Sequence, residues 1–161
     1  MNKKTIGIGE YALDNNPIII VTLGLGSCVG VCIRDKTKSI GAMVHVMLPD
    51  SSGNIGPKPG KYADSGIDLI YNELLKIGAS ASNLEAKIAG GAAMFGTSSQ
   101  TMDIGKRNIE AVRLKLKQKG IRIIAEDVGG NRARSIEFNI STGELMVKKV
   151  GGGEKVELYN I

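Results

Sequence analysis

Cys28 and His45 are the residues of this chain whose types could do covalent chemistry together. Cys28 ends the stretch Thr-Leu-Gly-Leu-Gly-Ser-Cys, residues 22–28, so glycines lie close to its thiol. A thiol that attacks a carbonyl needs a base to take its proton and N–H groups to receive the developing oxyanion. Histidine is the usual base, and the sequence contains only one. The first hypothesis is therefore a Cys28–His45 dyad with exposed amides beside the thiol.

The elements around this pair predict how the two side chains could meet. Residues 18–21 are a β-branched run, and residues 29–33 and 40–48 alternate in the way that strands do. Residues 36–39 read as the turn between the second and third strands. Antiparallel pairing about that turn would bring residues near Cys28 beside residues near His45, within side-chain reach.

The residues alone leave a second interpretation open. Most cysteines are small buried residues, and a lone histidine often fills a polar niche. Cys32 shares the strand face of Cys28 but lies mid-strand without flanking glycines on both sides, and we expect it in the core. The glycines at positions 24, 26 and 30 are spaced one residue too long for a dinucleotide fingerprint, and a strand rather than a helix follows them.

Composition indicates a globular protein with one domain spanning residues 1–161. Hydrophobic residues make up 42% and charged residues 23% of the chain. The net charge of +5 suits an acidic partner, but no Trp, 2 Phe and 4 Tyr leave little to stack on nucleic-acid bases. One histidine and two cysteines argue against a closed zinc site, so we expect no metal and no cofactor. We also expect a cytoplasmic protein, because no apolar signal segment follows the first residues.

The remaining patterns predict an α+β fold with mixed or antiparallel sheets. Helical periodicity covers residues 62–77 and 108–119, and each helix is followed by a glycine. Further strands are predicted at residues 86–89 and 121–125, with a hairpin formed by residues 135–140 and 145–150. Arg132 and Arg134 could hold an acidic partner or simply face solvent.

An ordered set of motifs in this chain resembles the CheD family of chemoreceptor glutamine deamidases. The resemblance runs over nearly the whole chain, and the ordered set is far more specific than a lone Gly-Ser-Cys. It implies that Cys28 is the nucleophile, that His45 is its base and that Thr22 orients the imidazole. The matching segments are residues 22–28, His-Val-Met-Leu-Pro at 45–49, Lys-Tyr-Ala-Asp at 61–64, Lys-Ile-Ala-Gly-Gly-Ala at 87–92, Met-Phe at 94–95, Ile-Gly at 104–105, Arg-Asn at 107–108, and Asp127 with Gly-Gly-Asn at 129–131.

The resemblance also implies a function. The expected activity is cysteine-dependent conversion of specific glutamines to glutamate on methyl-accepting chemoreceptors, through a thioester, with a possible side activity on glutamyl methyl esters. The implied fold is a layered α/β sandwich similar to the deamidase domain of cytotoxic necrotizing factor toxins. The implied second partner is the CheY-phosphate phosphatase CheC, and the alternative function is a mainly non-catalytic adaptor that regulates CheC. Neither nucleic acid nor direct membrane insertion is expected.

Overall fold

Ten strands and two helices form the part of the chain that the structure describes. The structure is a computed structural model, and it describes residues 2–94 and 99–161. Two short 3-10 turns, Pro59–Lys61 and Ala81–Asn83, precede α1 and β6. The strands are β1 (Lys3–Ile6), β2 (Tyr11–Asp14), β3 (Ile19–Leu25), β4 (Val29–Asp35), β5 (Ile40–Val46), β6 (Leu84–Gly90), β7 (Arg122–Val128), β8 (Ala133–Asn139), β9 (Leu145–Val150) and β10 (Glu157–Asn160), and the helices are α1 (Ala63–Lys76) and α2 (Ser99–Gln118).

The strands form two mixed sheets of five strands each. The first sheet has the order β1-β3-β8-β9-β10 and the second has the order β2-β5-β4-β6-β7. Each contains one parallel pair, β1 with β3 in the first and β6 with β7 in the second, and the other pairs are antiparallel. The predicted α+β class with mixed sheets is confirmed. The likeness to the toxin deamidase domain stays a prediction.

The second sheet lies between the first sheet on one face and the two helices on the other, so it is the middle of three layers. The strand β5 illustrates this arrangement, because successive side chains of a strand point to opposite faces. Ala42, Val44 and Val46 lie in the core that includes residues of α1 and α2. Met43 lies in a separate core between the two sheets, and the His45 side chain is on the same strand face. The two faces of β5 therefore meet different layers, as the sequence alternation predicted.

The predicted hairpin of β4 and β5 is confirmed and fixes the register near the two reactive residues. Val29 pairs with Val46, and Gly30 pairs with His45. Gly30 faces the first sheet, where a Cβ would lie 2.6 Å from Ile136 Cδ1. The missing side chain lets the two sheets approach closely beside His45, since any larger residue would push them apart.

The sequence prediction was wrong at several boundaries. Helix α2 begins at Ser99, nine residues before the predicted start, because its first turns lack the apolar stripe of residues 109–116. The strands β1, β2 and β10 were missed because each has four residues and carries too few apolar side chains to show alternation. Phe95 of the Met-Phe motif lies outside the described residues. No helix in the described residues is long and apolar enough to cross a membrane.

Candidate active site

A buried hydrogen bond between Thr22 and His45 connects the two sheets. Thr22 lies on β3 of the first sheet, and His45 lies on β5 of the second. The two atoms, Thr22 Oγ1 and His45 Nδ1, are 2.7 Å apart. Thr22 is 0% exposed and His45 is 1% exposed, so water does not compete for this contact.

The partners of Thr22 indicate which imidazole nitrogen carries the proton. The threonine hydroxyl donates to the carbonyl of Ile6 at 2.8 Å, which uses its only hydrogen. It can then bond His45 only as an acceptor, so we infer that Nδ1 carries the proton and donates to Oγ1. The opposite nitrogen, Nε2, is buried and has no partner among the described residues. That tautomer leaves a lone pair on Nε2 that could take a proton.

Cys28 lies immediately before β4, on the strand face that His45 shares. Since Val29 pairs with Val46, the hairpin register places Cys28 across from Met47, two residues beyond His45. Such diagonal neighbours on one face of an antiparallel pair have Cα atoms about 7–8 Å apart, which is within side-chain reach. Cys28 is 8% exposed and belongs to the core between the sheets. Cys32 is 0% exposed in the same core, as predicted, and both thiols are free.

An irregularity in β3 separates Thr22 from the segment that carries Cys28. The pairing of β3 with β8 shifts register between Thr22 and Leu25, and Gly24 adopts a φ of +68° within this bulge. A bulge re-aims the side chains around it. It allows Thr22 to face the second sheet while the following residues turn toward the start of β4, and glycine is the residue that adopts this φ without strain.

Three consecutive backbone carbonyls of the Cys28 segment are anchored to the protein interior. The N–H of Ala92 donates to Gly26 O at 2.8 Å, and the N–H of Gly91 donates to Cys28 O at 2.8 Å. Between them, the side-chain amide of Asn108 donates from Nδ2 to Ser27 O at 2.9 Å. The segment from residue 26 to residue 28 is thus held along its length.

Gly90 is a position where the packing against the Cys28 segment requires glycine. Its φ is +117°, and a Cβ there would lie 2.2 Å from the carbonyl oxygen of Cys28. No alanine or larger residue fits that space without moving the backbone that holds Cys28. The paired glycines at 90 and 91 bring the end of β6 against the thiol segment.

Burial keeps both reactive groups of the free protein neutral near pH 7. Burial lowers the pKa of His45 from 6.5 to about 4, and the nearby Glu10 carboxylate opposes that shift. Burial raises the pKa of the Cys28 thiol above 9.0, while the backbone N–H of Cys28 itself, beside the sulfur, pulls it down. The pair therefore rests as thiol and imidazole, and attack by the sulfur would require transfer of the thiol proton.

Arg132 and Arg134 do not face solvent. Arg134 is 2% exposed and donates to Asp127 Oδ1 at 2.9 Å and to Gly90 O at 3.3 Å. Arg132 is 7% exposed and donates to the carbonyl oxygens of Gly151 and Lys155. The solvent-facing interpretation is wrong, because both guanidinium groups are buried and bonded to carbonyls and carboxylates of the same chain. Arg134 supports the strand end that contacts the Cys28 segment.

Asn108 and Arg134 support the candidate site, and the sequence did not place either of them there. Asn108 appeared only as part of the Arg-Asn motif, and Arg134 appeared with Arg132 as a residue that could hold an acidic partner or face solvent. Their partners are backbone carbonyls distant in sequence, which no local pattern reveals. The described part of the chain gathers no three His, Cys, Asp or Glu side chains into a metal-binding group.

Three groups of this site could take part in covalent chemistry. Cys28 offers a thiol on the strand face that His45 shares, and His45 is a neutral imidazole with the Thr22 hydroxyl on its other ring nitrogen. Cysteine-dependent hydrolases use groups of these kinds to form and break a thioester. Comparison with known proteins then gives the family. Residues 47–149 match the family model "CheD chemotactic sensory transduction", and the chain belongs to the CheD family.

Full-length relatives extend the match over the segment that carries Thr22, Cys28 and His45. The "Chemoreceptor glutamine deamidase CheD" of Thermotoga maritima is 61% identical over 159 residues, which is 99% of each chain. The "Probable chemoreceptor glutamine deamidase CheD" of Desulfitobacterium hafniense is 43% identical, covering 96% of this chain and 98% of that one. A protein of the same name from Thermococcus kodakarensis is 43% identical over 94% of this chain and 96% of its own length.

A solved structure shows a weaker likeness. It is a Neisseria meningitidis protein of the DUF152 family, which aligns with 81% of this chain and 63% of its own length. The TM-score is 0.47 at 11% sequence identity.

The burial of His45 predicts that its imidazole titrates well below the ordinary pKa of histidine. Because burial disfavours the imidazolium, the imidazole should remain neutral down to a pH of about 4, and the folded protein should lose stability as pH falls from 6.5 toward that value. The unfolded chain binds the proton in this window and the folded one does not. NMR of the single histidine, followed against pH, measures the pKa directly. A midpoint near 6.5 would contradict the buried neutral imidazole.

Proposed function

We propose that this chain is a glutamine deamidase that converts glutamine side chains of chemoreceptors to glutamate, with Cys28 as nucleophile, His45 as base and Thr22 as the residue that orients the imidazole. The observation that carries the proposal is the buried 2.7 Å contact between Thr22 and His45. It leaves Nε2 of His45 without a partner among the described residues, on the strand face that Cys28 shares. The names of the relatives supply the substrate class.

In the acylation step, Nε2 of His45 takes the Cys28 proton as the sulfur attacks the carboxamide carbon of a glutamine. A C–S bond forms, and the carbonyl oxygen becomes an oxyanion. The backbone N–H of Cys28 belongs to the same residue as the sulfur, and we assign it as a donor for that oxyanion. The imidazolium then returns its proton to the amide nitrogen, the C–N bond breaks, and ammonia leaves a thioester behind.

In the deacylation step, neutral His45 accepts a proton from water as its oxygen attacks the thioester carbon. The new C–O bond replaces the C–S bond, glutamate forms, and the proton returns to the Cys28 sulfur. A glutamyl methyl ester would form the same thioester with methanol as leaving group, so the proposal includes that side activity. Thr22 supports both steps, because its hydroxyl keeps the proton on Nδ1 whenever the ring is neutral.

The setting of the reaction is also part of the proposal. We place the protein in the cytoplasm, where a reducing environment would keep Cys28 and Cys32 as the free thiols seen here. All 161 residues would act as one CheD-like domain. Regulation of CheC, as an additional or alternative role, stays a prediction of the family resemblance. A variant that lacks the Cys28 thiol would lose deamidation and could retain CheC binding.

Replacing Cys28 distinguishes the two thiols of the chain. Cys28→Ala should lower glutamine conversion at least about a thousandfold, because it removes the atom that forms the thioester. Cys32→Ala should keep most of the activity, since Cys32 is fully buried and lies mid-strand. The measurement is mass spectrometry of a chemoreceptor cytoplasmic fragment after incubation with each variant. Equal conversion by wild type and Cys28→Ala would overturn the proposed nucleophile.

Replacing Thr22 tests the orientation of the imidazole. Thr22→Val removes the hydroxyl that bonds Ile6 and His45, and we expect kcat to fall about ten- to a hundredfold because the ring loses its fixed position. KM should change little, since Thr22 is buried away from a bound substrate. Thr22→Ser keeps the hydroxyl and is the matched control, with most of the kcat retained. If the two variants lose kcat equally, the hydroxyl has no orienting role.

A further inference from the structure

Asn108 is a fully buried polar residue that contacts both segments of the candidate site. It lies on α2, is 0% exposed, and its Nδ2 donates to two backbone carbonyls, those of Ser27 at 2.9 Å and Met47 at 3.0 Å. Ser27 immediately precedes Cys28, and Met47 lies two residues beyond His45. One side-chain amide therefore joins the thiol segment to the end of the strand that carries the base.

The bond to Ser27 also fixes the direction of the Cys28 N–H. In a trans peptide the carbonyl of one residue and the N–H of the next point in opposite directions, and the described residues contain no cis peptide. Asn108 holds Ser27 O toward α2, so the N–H of Cys28 must point away from α2. That N–H and the attacking sulfur belong to the same residue, so the N–H lies close to the place where an oxyanion would form during attack.

Close packing of α2 against the residues that follow β6 allows Asn108 to reach these carbonyls. Gly105 lies one turn before Asn108, and a Cβ there would be 2.6 Å from the carbonyl oxygens of Gly91 and Ala92. The backbone of Gly91 and Ala92 in turn donates to Cys28 O and Gly26 O. The face of α2 that carries Gly105 and Asn108 therefore sets all three peptide planes of the thiol segment, and Asn108 sets the one that ends in the Cys28 N–H.

We propose that Asn108 is a positioning residue that aims the backbone N–H of Cys28 at the oxyanion. The inference rests on the proposed function, because it assigns the orientation of a donor in that same reaction. Without the Asn108 amide, the peptide between Ser27 and Cys28 loses the bond that holds its carbonyl and can rotate. Stabilisation of the oxyanion then falls, while the sulfur itself remains in place.

Two reactions of the same thiol separate this role from a general structural one. Alkylation of Cys28 by iodoacetamide is a displacement at a saturated carbon and forms no oxyanion, whereas acylation by p-nitrophenyl acetate and deamidation both form one. Asn108→Ala and the similarly shaped Asn108→Asp each lack the double N–H donor. We expect kcat of deamidation and the acylation rate to fall about ten- to a hundredfold, and alkylation to change by no more than about threefold.

Val112→Ala is the matched control. Val112 is 0% exposed one turn further along α2, and it belongs to the core between the second sheet and the two helices. This variant should leave the ratio of acylation to alkylation unchanged. Labelling of the fully buried Cys32 reports unfolded molecules, and intact mass separates these doubly labelled chains from folded ones. The comparison therefore holds even where a variant is partly unfolded.

The outcomes distinguish the two proposals. Suppose that the wild type is active. If acylation and alkylation fall in parallel in both Asn108 variants, or if neither reaction slows in these variants, the positioning role alone is overturned. A wild-type protein that neither deamidates receptor glutamines nor forms an acyl group on Cys28 would overturn the proposed function itself.

Discussion

The hydrogen bond between Thr22 and His45 is the contact on which the rest of the site depends. It joins β3 of one sheet to β5 of the other, in a region that water does not reach. Such a bond requires the sheets to lie close together, and Gly30, paired with His45, removes the side chain that would hold them apart. The layered packing and the placement of the imidazole are thus one geometric condition, which a larger residue at position 30 would break.

Burial at this contact has an electrostatic consequence. A buried imidazole resists protonation, and a buried thiol resists ionisation, so the pair rests in its neutral form rather than as an ion pair. In the proposed reaction, activation of the thiol depends on the substrate, because charge appears only when an oxyanion and its N–H donor are both present. The backbone around Cys28, anchored through three successive carbonyls, has the rigidity that a fixed N–H donor requires.

The sequence predicted the parts of the structure that follow from local periodicity. Alternation identified β4 and β5, and their short connection predicted the register that places Cys28 near His45. The short edge strands β1 and β2 were not predicted, because four residues are too few to show a period. The orientation of Thr22 was not predicted from the residues either, since it depends on a bulge in β3 and on a partner in the other sheet. Only the resemblance to a family selected it.

The buried polar residues also could not be placed from local sequence patterns. Arg134 and Asn108 look like ordinary surface residues in the sequence, and only the packing of β8 and α2 brings them to carbonyls far along the chain. Arg134 donates to Asp127 and to the Gly90 carbonyl, and the Asn108 amide donates to two backbone carbonyls, so the N–H groups of both residues that make these bonds are satisfied without water. A site built from backbone carbonyls and peptide orientation leaves little trace in residue types, whereas the thiol and the histidine stand out at once.

Capture of an acyl group on Cys28 is the most direct test of the proposed thioester mechanism. A chemoreceptor fragment is incubated with the protein in the presence of hydroxylamine, which competes with water for a thioester, and a parallel sample is quenched in acid for peptide mapping. We expect glutamyl hydroxamate at the glutamines that otherwise become glutamate, together with a substrate acyl group on the Cys28 peptide. Glutamate formation without hydroxamate and without any acyl group on Cys28 would contradict that mechanism.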